Sequence, residues 1–347
     1  MYAVPEAFAD DADISSWAKE SVYFMAANGI VGGVGNNLFA PKNITAEHEV
    51  IGYANATREQ AVIIAVRMVE KLPLPGLSSG KCGENLTWTL DSDGVLVVSG
   101  TGVMEDYDVD KAPWGFAKDK IKRIIIEDGV TTVGKYAFFN CENVTEVTLG
   151  NSVTTIRYDA FRACKSLAEI VFPASVAEIK EYAFVDCKSL ANVTIPAGVK
   201  SVSSTAFKGC DALTAINVDA NNLYYSSADG VLFNKDKTTL VCFPTASSIT
   251  SYSIPVGVTK IDNFAFCGCK GLVGIVIPDT VEEIKGSAFA ECTNIPSIII
   301  PESVKFVINM AFAGWTPSQH IYIMGDSSCW AFHWRDDCEA QIHYENK

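Results

Sequence analysis

One pattern of 23 residues recurs between Ile124 and Trp315, and no other feature of the chain restricts its fold so strongly. The pattern reads Leu-x-x-Ile-x-Ile-Pro-x-x-Val-x-x-Ile-x-x-x-Ala-Phe-x-x-Cys. A fixed period in the twenties predicts a repeat solenoid, in which each copy is one coil made of a β-strand plus a short turn or helix. The Ala-Phe pairs recur at intervals of 23, 23, 23, 59, 23 and 23 residues, with their rings at Phe138, Phe161, Phe184, Phe207, Phe266, Phe289 and Phe312.

The letters of one copy explain why the coils must stack. Ile170 and Phe172 occupy alternate positions of a short strand, and Pro173 ends that strand because proline has no N–H for a strand ladder. A single coil has too few neighbours to bury these side chains, so adjacent coils supply the remaining walls of its core. Since stacked strands lie about 4.8 Å apart, the repeated phenylalanines are expected to form one continuous aromatic column.

Six cysteines follow the Ala-Phe pairs by three residues, and Trp315 takes that position in the last copy. Their phase alone accounts for them, so we expect buried structural thiols beside the backbone of the turn. Disulfides between neighbouring coils remain an alternative, as does a redox pair at Cys267-x-Cys269. The six phased cysteines are Cys141, Cys164, Cys187, Cys210, Cys269 and Cys292.

The segment Ser-Val-x-x-Ile-x-x-x-Ala-Phe-x-x-Cys resembles the BspA-like family of bacterial leucine-rich repeats, over roughly residues 80–315. The resemblance implies a secreted or surface-exposed, non-enzymatic binding protein. Outward strand positions vary between copies while the inward ones are kept, which suits a recognition surface. A longer variant coil at 219–248, with an excursion from Asn221 to Phe243, is a second candidate surface. The outward positions proposed for recognition are Glu169, Asn192, Gly274 and Ser297.

Residues 1–73 differ from the repeats and resemble a small, all-α S-layer homology module. The resemblance implies binding of a secondary cell-wall polysaccharide, with Trp17 and Arg58 as candidate contacts, since a guanidinium can pair with a pyruvyl carboxylate through two parallel bonds. Alternatively, Arg58 is an ordinary residue in the first turn of a helix. The resemblance rests on Phe8-Ala9-Asp10, Trp17-Ala18, Gly29-Ile30-Val31-x-Gly33, Phe39-x-Pro41 and Thr57-Arg58-Glu59-Gln60.

The two ends of the solenoid need covers with polar outer faces. Residues 76–119 predict a β-rich N-terminal cap, because Asp91-Ser92-Asp93-Gly94 separates two apolar segments as in a hairpin. A small sugar-binding module with Trp88 or Trp114 as a platform is the alternative. The repeats are assigned to 120–315, after which the period is expected to be lost. In the C-terminal cap, 316–347, Gln319–Met324 predicts a final strand and Trp330–Trp334 a capping turn or helix.

Composition excludes several function classes. The net charge of −14 without a basic run argues against nucleic acid, and no apolar run is long enough to span a membrane. Met1–Pro5 lacks the features of a signal peptide, so a secreted protein would need an upstream segment. No metal or cofactor is predicted, since the spacing of the C-terminal candidates fits no common zinc template, although a Cys329–Cys338 disulfide stays open. The candidates considered are Cys329, His333, Cys338, His320 and His343.

No catalytic motif stands out from the repeats, so the leading interpretation is a cell-wall-anchored, non-enzymatic adhesion protein. Its solenoid face would recognise an unidentified protein or glycan, and residues 1–73 would hold the wall polysaccharide. Alternatively, the chain is the targeting and recognition arm of a larger surface enzyme whose catalytic domain lies elsewhere. A structural spacer is a third possibility.

Overall fold

The computed structural model describes residues 78–328 and 330–345. The predicted all-α module at 1–73, with Trp17 and Arg58, lies outside the described residues, as does Cys329. The described chain is a β-solenoid, as the repeat predicts. Its first twelve strands are β1 Ser78–Gly83, β2 Leu86–Leu90, β3 Val95–Gly100, β4 Gly102–Val103, β5 Arg123–Ile126, β6 Val130–Val133, β7 Glu146–Leu149, β8 Thr155–Ile156, β9 Glu178–Ile179, β10 Asn192–Ile195, β11 Ser201–Val202 and β12 Ala215–Val218.

The remaining strands begin in the variant coil. They are β13 Tyr225–Ala228, β14 Val231–Asn234, β15 Thr239–Cys242, β16 Ser251–Ser253, β17 Lys260–Ile261, β18 Gly274–Val276, β19 Glu283–Ile284, β20 Ser297–Ile300, β21 Phe306–Val307, β22 His320–Ile323 and β23 Gln341–Tyr344. Within the described residues the one helical element is a 3-10 helix at Gly115–Lys120, before the repeats. The repeats themselves therefore use turns rather than short helices.

Each regular coil contributes to two lines of strands, where the sequence predicted only one. The first line contains the four-residue strands such as β5 and β7, which pair in parallel one coil apart. The second line contains two-residue strands such as β8 and β9, also parallel. In hydrogen-bonded order the first line is β1-β2-β3-β5-β7, β10-β12, β16-β18 and β20-β22-β23, and the second is β11-β9-β8-β6-β4 and β13-β14-β15-β17-β19-β21.

The prolines start the turn that links the two lines. The carbonyl of Pro173 accepts a hydrogen bond from the N–H of Val176, and Pro278 does the same for Val281. The next corner, around Ala-Phe-x-x-Cys, needs two left-handed backbone positions in most coils. Glu291, with a φ of +59°, is one of them. Since left-handed backbone is costly for residues with a Cβ, glycine occupies the equivalent place at Gly209, Gly268 and Gly314.

The phenylalanines form two aromatic columns rather than the predicted single one. Phe161 and Phe184 are fully buried and stack with ring centroids 5.4 Å apart, and the same contact recurs from coil to coil. Among the described residues, no ring contact joins Phe207 to Phe243, where the second column begins. The first column contains Trp114, Phe138, Phe161, Phe184 and Phe207, and the second contains Phe243, Phe266, Phe289 and Phe312.

The variant coil separates these columns and continues the stack. Strands β14 and β15 pair antiparallel, which confirms the predicted hairpin, and β15 then pairs in parallel with β17. Val231, Phe233 and Leu240 are buried in the core. The excursion from Asn221 to Phe243 is therefore mostly core, and only part of it is available as a surface.

The two ends differ in how well the sequence predicted them. At the N-terminal end, β2 and β3 form the expected antiparallel hairpin, and Trp88 and Trp114 are buried, which contradicts a role as exposed sugar platforms. At the C-terminal end, the predicted final strand is present as β22, but the expected loss of the period is wrong. Strand β23 pairs in parallel with β22, so one more coil follows Trp315.

Candidate binding face

The outward side chains of the first line of strands form a continuous surface, here called the strand face. In each four-residue strand the first and third side chains point outward and the second and fourth are buried, as β7 and β10 show. Parallel pairing in register places equivalent outward side chains of consecutive coils side by side. The strand face therefore displays two rows of side chains, one from each outward position.

The four predicted recognition residues all lie on the strand face. Glu169 and Asn192 are exposed and face each other across a parallel bridge between consecutive coils. Asn192 also accepts a hydrogen bond of 2.9 Å from the hydroxyl of Thr214. Gly274 is half-buried and Ser297 is exposed, and both line one groove further along the face. The structure thus divides the four residues between two regions of the same surface.

The larger groove has a volume of about 830 Å³. Its apolar lining is exposed to an unusual degree for a soluble surface, since Val276 and Ile299 each keep 58% of their side-chain exposure. Small polar groups alternate with these side chains, including Ser251 and Ser297, and Met324 closes one end. A smaller groove of about 510 Å³, lined by Glu169 and other residues of the N-terminal coils, lies on the same face.

Charge divides the strand face into two parts. In the N-terminal coils, Arg123 and Glu146 form an ion pair with 3.0 Å between Nε and Oε2. From β16 to β23, no outward residue is Asp, Glu, Lys or Arg. An acidic chain thus presents a strip without permanent charge, which suits a ligand that buries apolar surface. The outward residues of this strip are Ser251, Ser253, Gly274, Val276, Ser297, Ile299, His320, Tyr322, Gln341 and His343.

A second exposed apolar group lies at the tip of the variant coil. Leu223 is 74% exposed and Tyr224 is 45% exposed. Asn222, which is fully buried, holds this tip: its Nδ2 donates to the carbonyls of Pro196 and Val199 at 2.7 and 3.0 Å, and its Oδ1 accepts from the N–H of Tyr224. Sequence reasoning placed a surface in this excursion but missed the Leu-Tyr pair.

The phased cysteines are buried, as predicted, and they bond to the backbone. The Sγ of Cys187 donates to the carbonyl of Phe161 at 3.2 Å, and the other thiols make the same contact one coil along. Trp315 replaces the thiol in its coil, since its indole Nε1 donates to the carbonyl of Phe289 at 2.8 Å. Burial raises the pKa of the Cys187 thiol to about 12, so this group is a poor nucleophile. Equivalent thiol contacts are made by Cys164, Cys210, Cys269 and Cys292.

The remaining cysteine and histidine candidates are dispersed. Cys267 packs against Ala290 and Ala313, whereas Cys269 belongs to the main core. His333 pairs with Asp336 at 2.7 Å, away from His320, which contacts His343 at 2.9 Å. Among residues 78–328 and 330–345, no three His, Cys, Asp or Glu side chains are grouped as a metal site.

Comparison with known proteins agrees with this geometry. Six copies of the BspA type leucine-rich repeat region match residues 114–228 and 239–329, and the S-layer homology domain matches residues 7–45. The second match includes Trp17 but ends before Arg58. No curated protein matches the chain. None of the helices in the described part is long and apolar enough to cross a membrane.

Solved structures show the same fold. A leucine-rich repeat protein from Eubacterium ventriosum is 25% identical with a TM-score of 0.64, over 77% of this chain and 84% of that one. A leucine-rich cell surface protein from Faecalibacterium prausnitzii is 21% identical with a TM-score of 0.45, over 78% and 95% of the two chains. With its repeats matched over more than half of its length, the chain belongs to the BspA-type leucine-rich repeat family.

Proposed function

We propose that this chain is a non-enzymatic binding protein of the bacterial cell surface, attached to the wall through residues 1–73 and recognising a partner on its strand face. The observation that supports this most is the groove of about 830 Å³ in the strip without permanent charge. Exposed Val276 and Ile299 offer apolar area there, and the serines offer hydrogen bonds. A few apolar anchors among small polar groups suit a protein segment or a glycan.

The absence of enzymatic activity is part of the proposal. The phased thiols are assigned to the core, where burial suppresses their reactivity. The leucine-rich cell surface protein of Faecalibacterium prausnitzii carries surface location in its description, which supports the same location here. The solenoid would present the strand face, and the S-layer homology match at 7–45 supports attachment to secondary cell-wall polysaccharide.

A binding screen of the full chain against host matrix proteins and glycans tests recognition. We expect at least one partner whose affinity falls more than tenfold in Ile299→Asp, since a carboxylate would have to be buried without a counter-charge. Phe306→Asp is the matched control, because Phe306 is 46% exposed on the second line of strands rather than on the strand face. Equal loss in both variants, or hydrolysis of any screened polymer, would overturn the proposal.

Wall attachment is tested separately with purified pyruvylated polysaccharide. Arg58→Ala should weaken binding if the guanidinium pairs with the pyruvyl carboxylate, whereas Arg67→Ala, a change of equal charge, should not. Binding that persists unchanged in Arg58→Ala, or after removal of the pyruvyl group, would refute the role of Arg58. Because these variants lie outside the solenoid, the outcome leaves the test of the strand face independent.

A further inference from the structure

Two histidines on consecutive coils meet at the C-terminal end of the strand face. His320 is an outward residue of β22, and His343 is an outward residue of β23, which pairs in parallel with it. The Nδ1 of His320 lies 2.9 Å from the Nε2 of His343. The 23 residues between them equal one period of the repeat, which is why side chains so distant in sequence become neighbours.

The surroundings leave this pair available to a ligand. Both side chains are half-buried, and the ring of Tyr322 packs against His343 with centroids 4.6 Å apart, which limits the freedom of that imidazole. No outward residue between β16 and β23 is a carboxylate or a permanent cation. The imidazole nitrogens therefore have each other as their hydrogen-bond contact and face no competing ion pair on this strip.

The separation of the nitrogens fits two ligands of one metal ion. With metal–nitrogen bonds of about 2.1 Å, ligands at right angles are about 3.0 Å apart, and tetrahedral ligands about 3.4 Å apart. The observed 2.9 Å is closer to the right-angled arrangement, which Ni²⁺ and Cu²⁺ adopt and for which imidazole is a suitable ligand. Little backbone movement would be needed.

We propose that His320 and His343 form a two-ligand site for a divalent transition ion of the Ni²⁺ or Cu²⁺ type. With centroids 5.2 Å apart, the nitrogens lie nearly on the line between the rings, so without metal they share a hydrogen bond. On binding, each ring turns about its Cβ–Cγ bond so that both lone pairs converge on the ion. Water fills the remaining coordination positions, since no third His, Cys, Asp or Glu of the described residues joins the pair.

An ion at this place would link the last coil to the one before it. Strand β23 has β22 as its only strand neighbour in the described part of the chain. Any ligand that binds only the folded pair stabilises the contact between the two strands by mass action. The site would therefore act as a metal-dependent fastening at the end of the strand face, independently of the proposed recognition function.

Titration of the full chain with Ni²⁺ by isothermal calorimetry tests the site. Ni²⁺ is preferred over Cu²⁺ as a probe because it does not oxidise thiols. We expect one ion per chain and at least a tenfold loss of affinity in both His320→Asn and His343→Asn. His333→Asn is the matched control, since His333 is exposed and pairs with Asp336 instead, and its affinity should stay within twofold of the unmodified chain.

Hydrogen exchange on the unmodified chain provides a second measurement that needs no substitution. Saturating Ni²⁺ should slow exchange of the β23 amides, Gln341–Tyr344, relative to those of β7, Glu146–Leu149, which lies far along the solenoid. Unchanged exchange in β23, or equal Ni²⁺ affinity in all three histidine variants, would overturn the proposal.

Discussion

Removal of one ring from the first aromatic column should destabilise the solenoid by an amount that depends on how many rings it contacts. Phe184 is fully buried and stacks on Phe161 at 5.4 Å and on Phe207 at 5.7 Å, with Phe172 edge-on at 5.6 Å. Truncation of a buried phenylalanine to alanine costs about 3–5 kcal/mol. Because two stacked partners are lost, we expect Phe184→Ala near the upper limit, at about 5 kcal/mol.

Phe207 offers an internal comparison. It is buried as well, but of the phenylalanines in the columns it stacks on Phe184 alone. One aromatic pair contributes about 0.5–1.5 kcal/mol beyond burial, so Phe207→Ala should cost about 1 kcal/mol less than Phe184→Ala. Phe332, which is 91% exposed, is the control, and its replacement by alanine should change the free energy of unfolding by no more than about 0.5 kcal/mol.

Equilibrium urea denaturation, followed by circular dichroism and tryptophan fluorescence, measures these differences. The dependence of the free energy on urea should also be compared, since partial loss of coils would change its slope. A loss below about 1 kcal/mol in Phe184→Ala, or a loss equal to that of Phe332→Ala, would show that the ring column does not hold the coils together.

Two further predictions concern the thiols and the left-handed corners. Burial raises the pKa of Cys141 and Cys242 to about 12 from 9.0, so above about pH 9 the unfolded chain binds fewer protons, and the free energy of unfolding should fall as pH rises towards 12, by at most about 1.4 kcal/mol per pH unit for each thiol. Urea denaturation at about pH 8 and pH 10.5 checks this, Cys141→Ala should show a shallower decline, and equal stability at both pH values would contradict it. Glu291→Gly should raise the free energy of unfolding by about 1 kcal/mol, because its φ of +59° suits glycine; thermal denaturation measures the gain, and a loss would show that the Glu291 side chain contributes more than its backbone costs.

The sequence predicted the solenoid because its side chains repeat with the period of the coil. The second line of strands was missed because each of its members, such as Glu283–Ile284, is only two residues long and cannot show alternation. The last coil was missed for a related reason. His320 pairs with Gln341, which is 21 residues later rather than 23, so the period is altered where the strand persists.

The candidate site was predictable in position but not in character. Alternation along the strand was enough to place Asn192 and Ser297 outward. The groove depends on which neighbours lie beside those positions, and that requires the register between coils. The Leu223–Tyr224 tip depends on the distant carbonyls that hold Asn222. The histidine pair carried a readable signal, since any two residues one period apart become neighbours, but local ligand templates do not test that distance.

The gap between the two aromatic columns has a mechanical consequence. In a solenoid, cooperativity passes only through contacts between neighbouring coils. The variant coil joins the two buried clusters by backbone pairing, without a ring contact between Phe207 and Phe243. Tension applied between the ends of the chain should therefore extend it in two stages. The larger groove, floored by Ile275 and Ile277, belongs entirely to the second cluster. A partner held there would stay bound while the coils of the first cluster lengthen, so the protein would yield under shear before it releases what it holds.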